Sequence, residues 1–140
     1  MLFGEYQHSV DAKGRVNFPS RLREELGEKF MVCKGLGDRC LFVYSMEEFE
    51  KLKNKLEELP MAKSKQLKRF IFAGATDAEP DKQGRIIIPA VLRNYAEIKK
   101  DVVIIGASTR AEIWDKELWE QCNDSITAEM IENVMEELNF

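Results

Sequence analysis

One arrangement of aspartate, glycine and arginine occurs twice in this chain of 140 residues. Residues 11–23 read D-A-K-G-R-V-N-F-P-S-R-L-R, and residues 81–93 read D-K-Q-G-R-I-I-I-P-A-V-L-R. Asp11, Gly14 and Arg15 thus return as Asp81, Gly84 and Arg85, at an offset of 70. Three chemistries fit the pattern. In the blandest, each Asp caps its own turn and each Arg is a surface residue or local ion pair, a weak reason for such regularity. In the second, Asp11 and Asp81 meet as the carboxylate dyad of an acid–base hydrolase, although a neighbouring cation keeps both carboxylates ionised. In the third, two turns related by twofold symmetry lift Arg15 and Arg85 onto one face. Arginine offers a planar fork of donors that matches phosphate oxygens or the O6/N7 edge of guanine. Lys13, Lys82 and Arg21 lie near in sequence and could contact phosphates.

Other catalytic signals are sparse. The single histidine, His8, would have to carry any histidine-based metal site or Ser-His-Asp arrangement alone. There is no P-loop, G-x-G-x-x-G or H-E-x-x-H motif. Cys33, Cys40 and Cys122 are odd in number and form no C-x-x-C pair, so three reduced thiols are expected. No cofactor, metal or small-molecule ligand is expected.

The elements that must position the two motifs decode alike in both copies. Leu2–Val10 and Phe70–Ala78 are predicted as strands. D-x-x-G then places Asp first and Gly fourth in a type I turn. Residues 15–18 and 85–88 are β-formers. Pro19 and Pro89 suit the first turn of a short helix, which ends near Gly27 in the first copy. Hairpins follow, Phe30–Lys34 with Leu41–Tyr44 and Val102–Ile105 with Glu112–Trp114. Ser45-x-x-Glu48 has the spacing of a capping box, and Phe49, Leu52, Leu56 and Leu59 recur at helical spacing. The repeat extends to Gly4 with Gly74, Tyr44 with Trp114 and Phe49 with Trp119, with a one-residue slip where Gly35 meets Gly106. The expected division is a repeat over residues 1–60, a basic linker over 61–69, and a second repeat with C-terminal helices over 70–140.

Composition is that of a soluble globular chain, 44% hydrophobic and 33% charged. The longest stretch free of charge is the eight residues Val102–Thr109, against the roughly 20 apolar residues a spanning helix needs. The N-terminus lacks the pattern of a signal peptide, and a cytoplasmic protein with no membrane partner is expected. The net charge of −4 is unevenly spread. Residues 1–110 carry 20 basic and 16 acidic side chains, whereas residues 111–140 carry one basic and nine acidic ones. A local basic patch can therefore meet phosphate while the acidic end faces elsewhere. Ile126, Met130, Ile131, Val134, Met135 and Leu138 form an amphipathic stripe in that acidic segment, suited to core packing or a subunit contact.

The two D-x-x-G-R-[VI]-x-[FI]-P-x-x-L-R units, each with a strand before and a hairpin plus helix after, resemble the MraZ family of bacterial transcriptional regulators, built from SpoVT/AbrB-like units. The resemblance runs from Met1 to about Trp119. It implies an α+β fold, a duplicated swapped-hairpin AbrB-like β-barrel with pseudo-twofold symmetry, flanked by helices. It implies a non-enzymatic, nucleoid-associated regulator, expected to repress, that binds double-stranded DNA as a ring-shaped homo-oligomer. The target would be short direct repeats upstream of a cell-division and cell-wall gene cluster. Arg15 and Arg85 map onto the DNA-facing arginines, with Lys13, Lys82, Asn17 and Arg21 beside them. Asp11, Gly14, Asp81 and Gly84 map onto the turns that hold them. Gln83 and Ile87 replace Lys13 and Asn17 in the second copy, so the first copy is expected to be the more basic. A ring-forming scaffold on the same barrel, without specific DNA binding, is the alternative.

Overall fold

The computed structural model describes residues 1–139. The first copy comprises β1 (Glu5–Ser9), β2 (Arg15–Asn17), α1 (Ser20–Leu26), β3 (Phe30–Lys34), β4 (Leu41–Ser45) and α2 (Met46–Leu56). Helix α3 (Met61–Ala73) joins it to β5 (Thr76–Ala78), β6 (Arg85–Ile87), α4 (Ala90–Tyr95), β7 (Asp101–Ala107), β8 (Arg110–Asp115), α5 (Lys116–Asp124) and α6 (Ala128–Glu137).

The strands pair across the copies. A six-stranded antiparallel sheet runs β1-β7-β8-β4-β3-β5, and β2 pairs only with β6 in a separate two-stranded ribbon. Each copy thus lends its first strand to the hairpin of the other, which makes the fold a duplicated, swapped-hairpin barrel of AbrB type. The pseudo-twofold axis can be read from the register. Val16 faces Ile86 and Phe42 faces Glu112, each pair separated by the repeat offset, so the axis passes through both.

Both faces of the large sheet are covered. Along β4, Leu41 and Val43 point into one core with Phe30, Val32, Val102, Ile104, Ala111 and Ile113. Val16 and Ile86 of the ribbon, Leu22 of α1 and Leu92 of α4 close that core from the other side. The alternate residues, Phe42, Tyr44, Cys33 and Trp114, form a second core beneath α2, α3 and α5. Double coverage explains why β4 and β8 read as continuous buried runs rather than alternating ones. Glu112 breaks the apolar pattern at the axis and is compensated. It accepts from Trp114 Nε1 and from Arg110, each at 2.9 Å, and the Arg110 guanidinium lies 3.9 Å from the centre of the Phe42 ring.

Three local expectations change. Phe70–Ala73 belongs to α3, not to a strand, so β5 is only three residues long. The apolar run suits either period, and Ile71 buried in the second core decides for the helix. Pro19 and Pro89 stand one place earlier than expected, as the extended residues that precede α1 and α4. The slip between copies is two residues at the hairpins, not one. Lys34 faces Leu41 and Gly106 faces Ala111, so Gly106 takes the place of Lys34 while Gly35 lies in the turn. Elsewhere the reading holds: Gly27 ends α1 at φ 91°, and Ser45 Oγ caps α2 by accepting from the Glu48 amide at 3.1 Å. The α6 stripe, in contrast, covers no core; Ile126, Met130, Ile131, Val134 and Leu138 are all exposed.

Candidate nucleic-acid interface

Each D-x-x-G-R segment is a tight turn closed by its own aspartate. The Gly14 amide donates to the Asp11 carbonyl at 3.0 Å, and the Asp11 amide donates to the Arg15 carbonyl at 2.9 Å. Gly14 takes φ +81° and Gly84 φ +79°, a left-handed backbone that only glycine adopts without strain. This is a type I turn with a one-residue bulge at the glycine, a standard way to reverse a strand. Asp11 Oδ1 accepts from the Lys13 and Arg15 amides, both at 2.9 Å, and Oδ2 accepts from Arg15 Nε at 2.8 Å. Asp81 repeats every contact, with the Gln83 and Arg85 amides at 2.9 Å and Arg85 Nε at 3.0 Å. The amide of the following arginine is the main cause that holds each aspartate carboxyl below its ordinary range.

These contacts use only the inner edge of each guanidinium. Each guanidinium is fixed at Nε, and no hydrogen bond among the described residues engages the terminal nitrogens of Arg15 and Arg85, so each arginine offers a fork to a planar anion or a base edge. The ribbon then sets the two forks together. Arg15 faces Ile87 and Asn17 faces Arg85, so all four share the outer face while Val16 and Ile86 point inward. The arginines are diagonal neighbours, about 7–8 Å apart by strand geometry.

A second pair of arginines supports the turns. Arg23 Nε donates to the Phe18 carbonyl at 3.0 Å, and Arg93 Nε donates to the Ile88 carbonyl at 2.9 Å. A Cβ built on Gly84 would lie 2.9 Å from an Arg23 terminal nitrogen, and one on Gly14 would lie 3.3 Å from Arg93 Nε. Each glycine therefore rests on the arginine of the opposite copy. The backbone crosses as well, with the Ile88 amide donating to Gly14 and the Phe18 amide to Gly84. Sequence reasoning matched Arg23 with Arg93 but gave them no role, because a contact between copies leaves no local signal.

The structure gathers most of the expected site and leaves one member apart. Arg15, Arg85 and Asn17 lie on the ribbon face, and Lys13 and Lys82 sit exposed in the turns beside it. Arg21, on α1, lines a groove with Met1, Phe3, Tyr6 and Glu24, which includes no ribbon residue. Each turn carries one lysine, so the contrast between copies lies in the flanks. Asp77 and Glu79 stand where the first copy has Gln7 and Ser9, and with Arg15, Arg85 and Ile87 they line a groove of about 350 Å³. Asp11 and Asp81 are each saturated by their own turn, which leaves no shared proton of the kind a hydrolytic dyad uses.

The repeat has a counterpart among known proteins. The family model described as "MraZ protein, putative antitoxin-like" matches the chain twice, over residues 1–69 and 71–139. The chain belongs to the MraZ family. A relative from Thermoanaerobacter sp. (strain X514), named transcriptional regulator MraZ, is 53% identical over the full length of both chains. Relatives of the same name from Acetivibrio thermocellus and Caldicellulosiruptor saccharolyticus are 55% and 54% identical, over 96% and 100% of each chain. MraZ membership makes transcriptional regulation the coarse class of this chain. No helix among the described residues is long and apolar enough to cross a membrane.

Proposed function

We propose that this chain is a sequence-specific DNA-binding regulator that represses a cell-division and cell-wall gene cluster through short direct repeats in its own upstream region. It acts in the cytoplasm, at the nucleoid, by binding rather than by turnover. The observation that carries the reading is the ribbon: two arginine forks, each held at Nε by its own aspartate, lie diagonally on one exposed two-stranded face. A ribbon of this width fits the major groove of B-DNA, where a bidentate arginine recognises guanine. Lys13 and Lys82 contribute phosphate contacts that set register.

A single ribbon is a small reader. Joining several in a ring makes later contacts intramolecular and raises avidity by roughly 10²–10⁴ where the spacing allows. The exposed apolar face of α6, bordered by Glu129, Glu132, Glu136 and Glu137, suits a subunit or scaffold contact away from the anionic duplex. The same face favours the second reading, a ring-forming interaction module without specific DNA binding.

Fluorescence anisotropy with duplex DNA from upstream of the gene, against scrambled DNA at two salt concentrations, separates the two. Specific, salt-sensitive binding that collapses in Arg15→Ala/Arg85→Ala supports the regulator. Equal weak binding to both duplexes, unchanged by the substitutions, overturns it.

A further inference from the structure

The two rungs of the ribbon are not equivalent. The pseudo-twofold axis relates Asn17 to Ile87, so an amide stands beside Arg85 where an isoleucine stands beside Arg15. Ile87 is 62% exposed, while Ile86 and Ile88 on either side are 2% and 1% exposed. The buried neighbours fill the barrel core; Ile87 stands outside it, on the face it shares with Arg15, Arg85 and Asn17 and beside Asp77 and Glu79.

In the proposed DNA reading, this position has a specific partner. Among the base edges of the major groove, the apolar group is the 5-methyl of thymine. On the same rung, Arg15 presents its fork for guanine. On the other rung, Asn17 has the amide that pairs bidentately with the N6/N7 edge of adenine. Asp77 and Glu79 line one groove with Ile87, Arg15 and Arg85, and their charge disfavours a phosphate beside Ile87.

We propose that Ile87 is a specificity residue that packs on the 5-methyl of a thymine next to the base contacted by Arg15. The Asn17/Ile87 difference then gives each ribbon a direction along the duplex. A reader without true twofold symmetry selects a non-palindromic site, and copies related by rotation along DNA select direct repeats of it.

The inference rests on the DNA reading, and one experiment tests the two separately. The full-length protein is used to select duplexes from a random library. Each thymine of the selected duplex is then replaced by deoxyuridine, which removes only the methyl. Anisotropy is measured for the unsubstituted protein, Ile87→Ala and Ile87→Asn, with light scattering for oligomeric state. One deoxyuridine position per repeat is expected to weaken the unsubstituted protein about fourfold, the value of one buried methyl. Both variants should bind thymine and deoxyuridine duplexes equally at that position. A thymine preference that survives in Ile87→Ala at every position overturns the proposal while leaving DNA binding intact. A change of oligomeric state with the thymine preference kept makes Ile87 a subunit contact and also overturns it. Failure of the unsubstituted protein to enrich any sequence removes the DNA reading and this inference together.

Discussion

Replacing Arg15 with lysine keeps the charge and removes the fork, so it separates two ways in which this side chain could hold DNA. In the structure, Arg15 Nε is committed to Asp11 Oδ2 at 2.8 Å, and Asp11 Oδ1 is committed to two amides. Arg15→Lys removes the Nε contact along with the fork but keeps the two amide bonds to Oδ1, so the turn should hold with a small drop in melting temperature. Loss of a bidentate base contact costs about 1–3 kcal/mol of discrimination. That corresponds to about 5- to 150-fold in Kd for each reading head. Counterion release counts neutralised phosphates, so with Arg15 on a base the salt slope should change little in either Arg15→Lys or Arg15→Ala, whereas a fall of about 0.9 per head would mark a phosphate contact. Anisotropy titrations on selected and scrambled duplexes at several salt concentrations read the discrimination and the salt slope, and thermal denaturation reads the melting temperature. Equal affinity of Arg15→Lys and the unsubstituted protein for the selected duplex would refute the fork argument. Equal losses on selected and scrambled DNA would show that Arg15 contacts phosphate instead.

Four further outcomes follow from the same geometry. Gly84→Ala forces a Cβ to within 2.9 Å of Arg23 at φ +79°, and the left-handed backbone alone costs roughly 1–2 kcal/mol; calorimetry should show a lower melting temperature, and an unchanged one would contradict the packing. Because the folded pKa values of Asp11 and Asp81 are depressed, the stability they contribute is present at neutral pH and is lost as pH falls below the ordinary carboxylate range; urea midpoints should therefore drop on the acid side, and Asp11→Asn/Asp81→Asn should flatten that limb. Burial pushes the Cys33 thiol up to about 12 and raises Cys40 as well, whereas Cys122 is only partly buried; Ellman's reagent should label Cys122 alone before unfolding, and fast labelling of three thiols would count against the second core. Truncation after Asp124 removes α6 and should reduce the assembled species in light scattering, while intact rings from the truncated chain would exclude that helix from assembly.

Much of the site could be read from the residues because its geometry is local. An aspartate that accepts from amides two and four residues on, and a glycine that must turn left-handed, leave a short signature, and here it occurs twice. The hairpins and the Ser45 cap were legible for the same reason. Contacts between copies were not. Arg23 beneath Gly84 and the exchange of β1 onto β7 depend on partners roughly 60 to 100 residues away. Phe70–Ala73 could not be assigned from period alone, since an apolar run of that length fits a strand or a buried helix turn equally. Ile87 was noted only as a departure from Asn17; its exposure on the ribbon face follows from the pairing with β2.

The exchange of strands also bears on how such a ribbon can change over time. A barrel of this kind assembled from two identical half-length chains would be symmetric by construction, and every substitution would appear on both rungs of its ribbon. Here both halves are joined through α3, and β2 and β6 meet although they come from different copies. One rung can therefore vary while the other is held, and Asn17 with Ile87 records such a divergence. Joining the halves also ties their fates: β1 has no sheet partner until β7 is made some 90 to 100 residues later, so neither half completes its edge alone. The freedom of the two rungs to differ and the obligation to fold as one unit come from the same crossed connection.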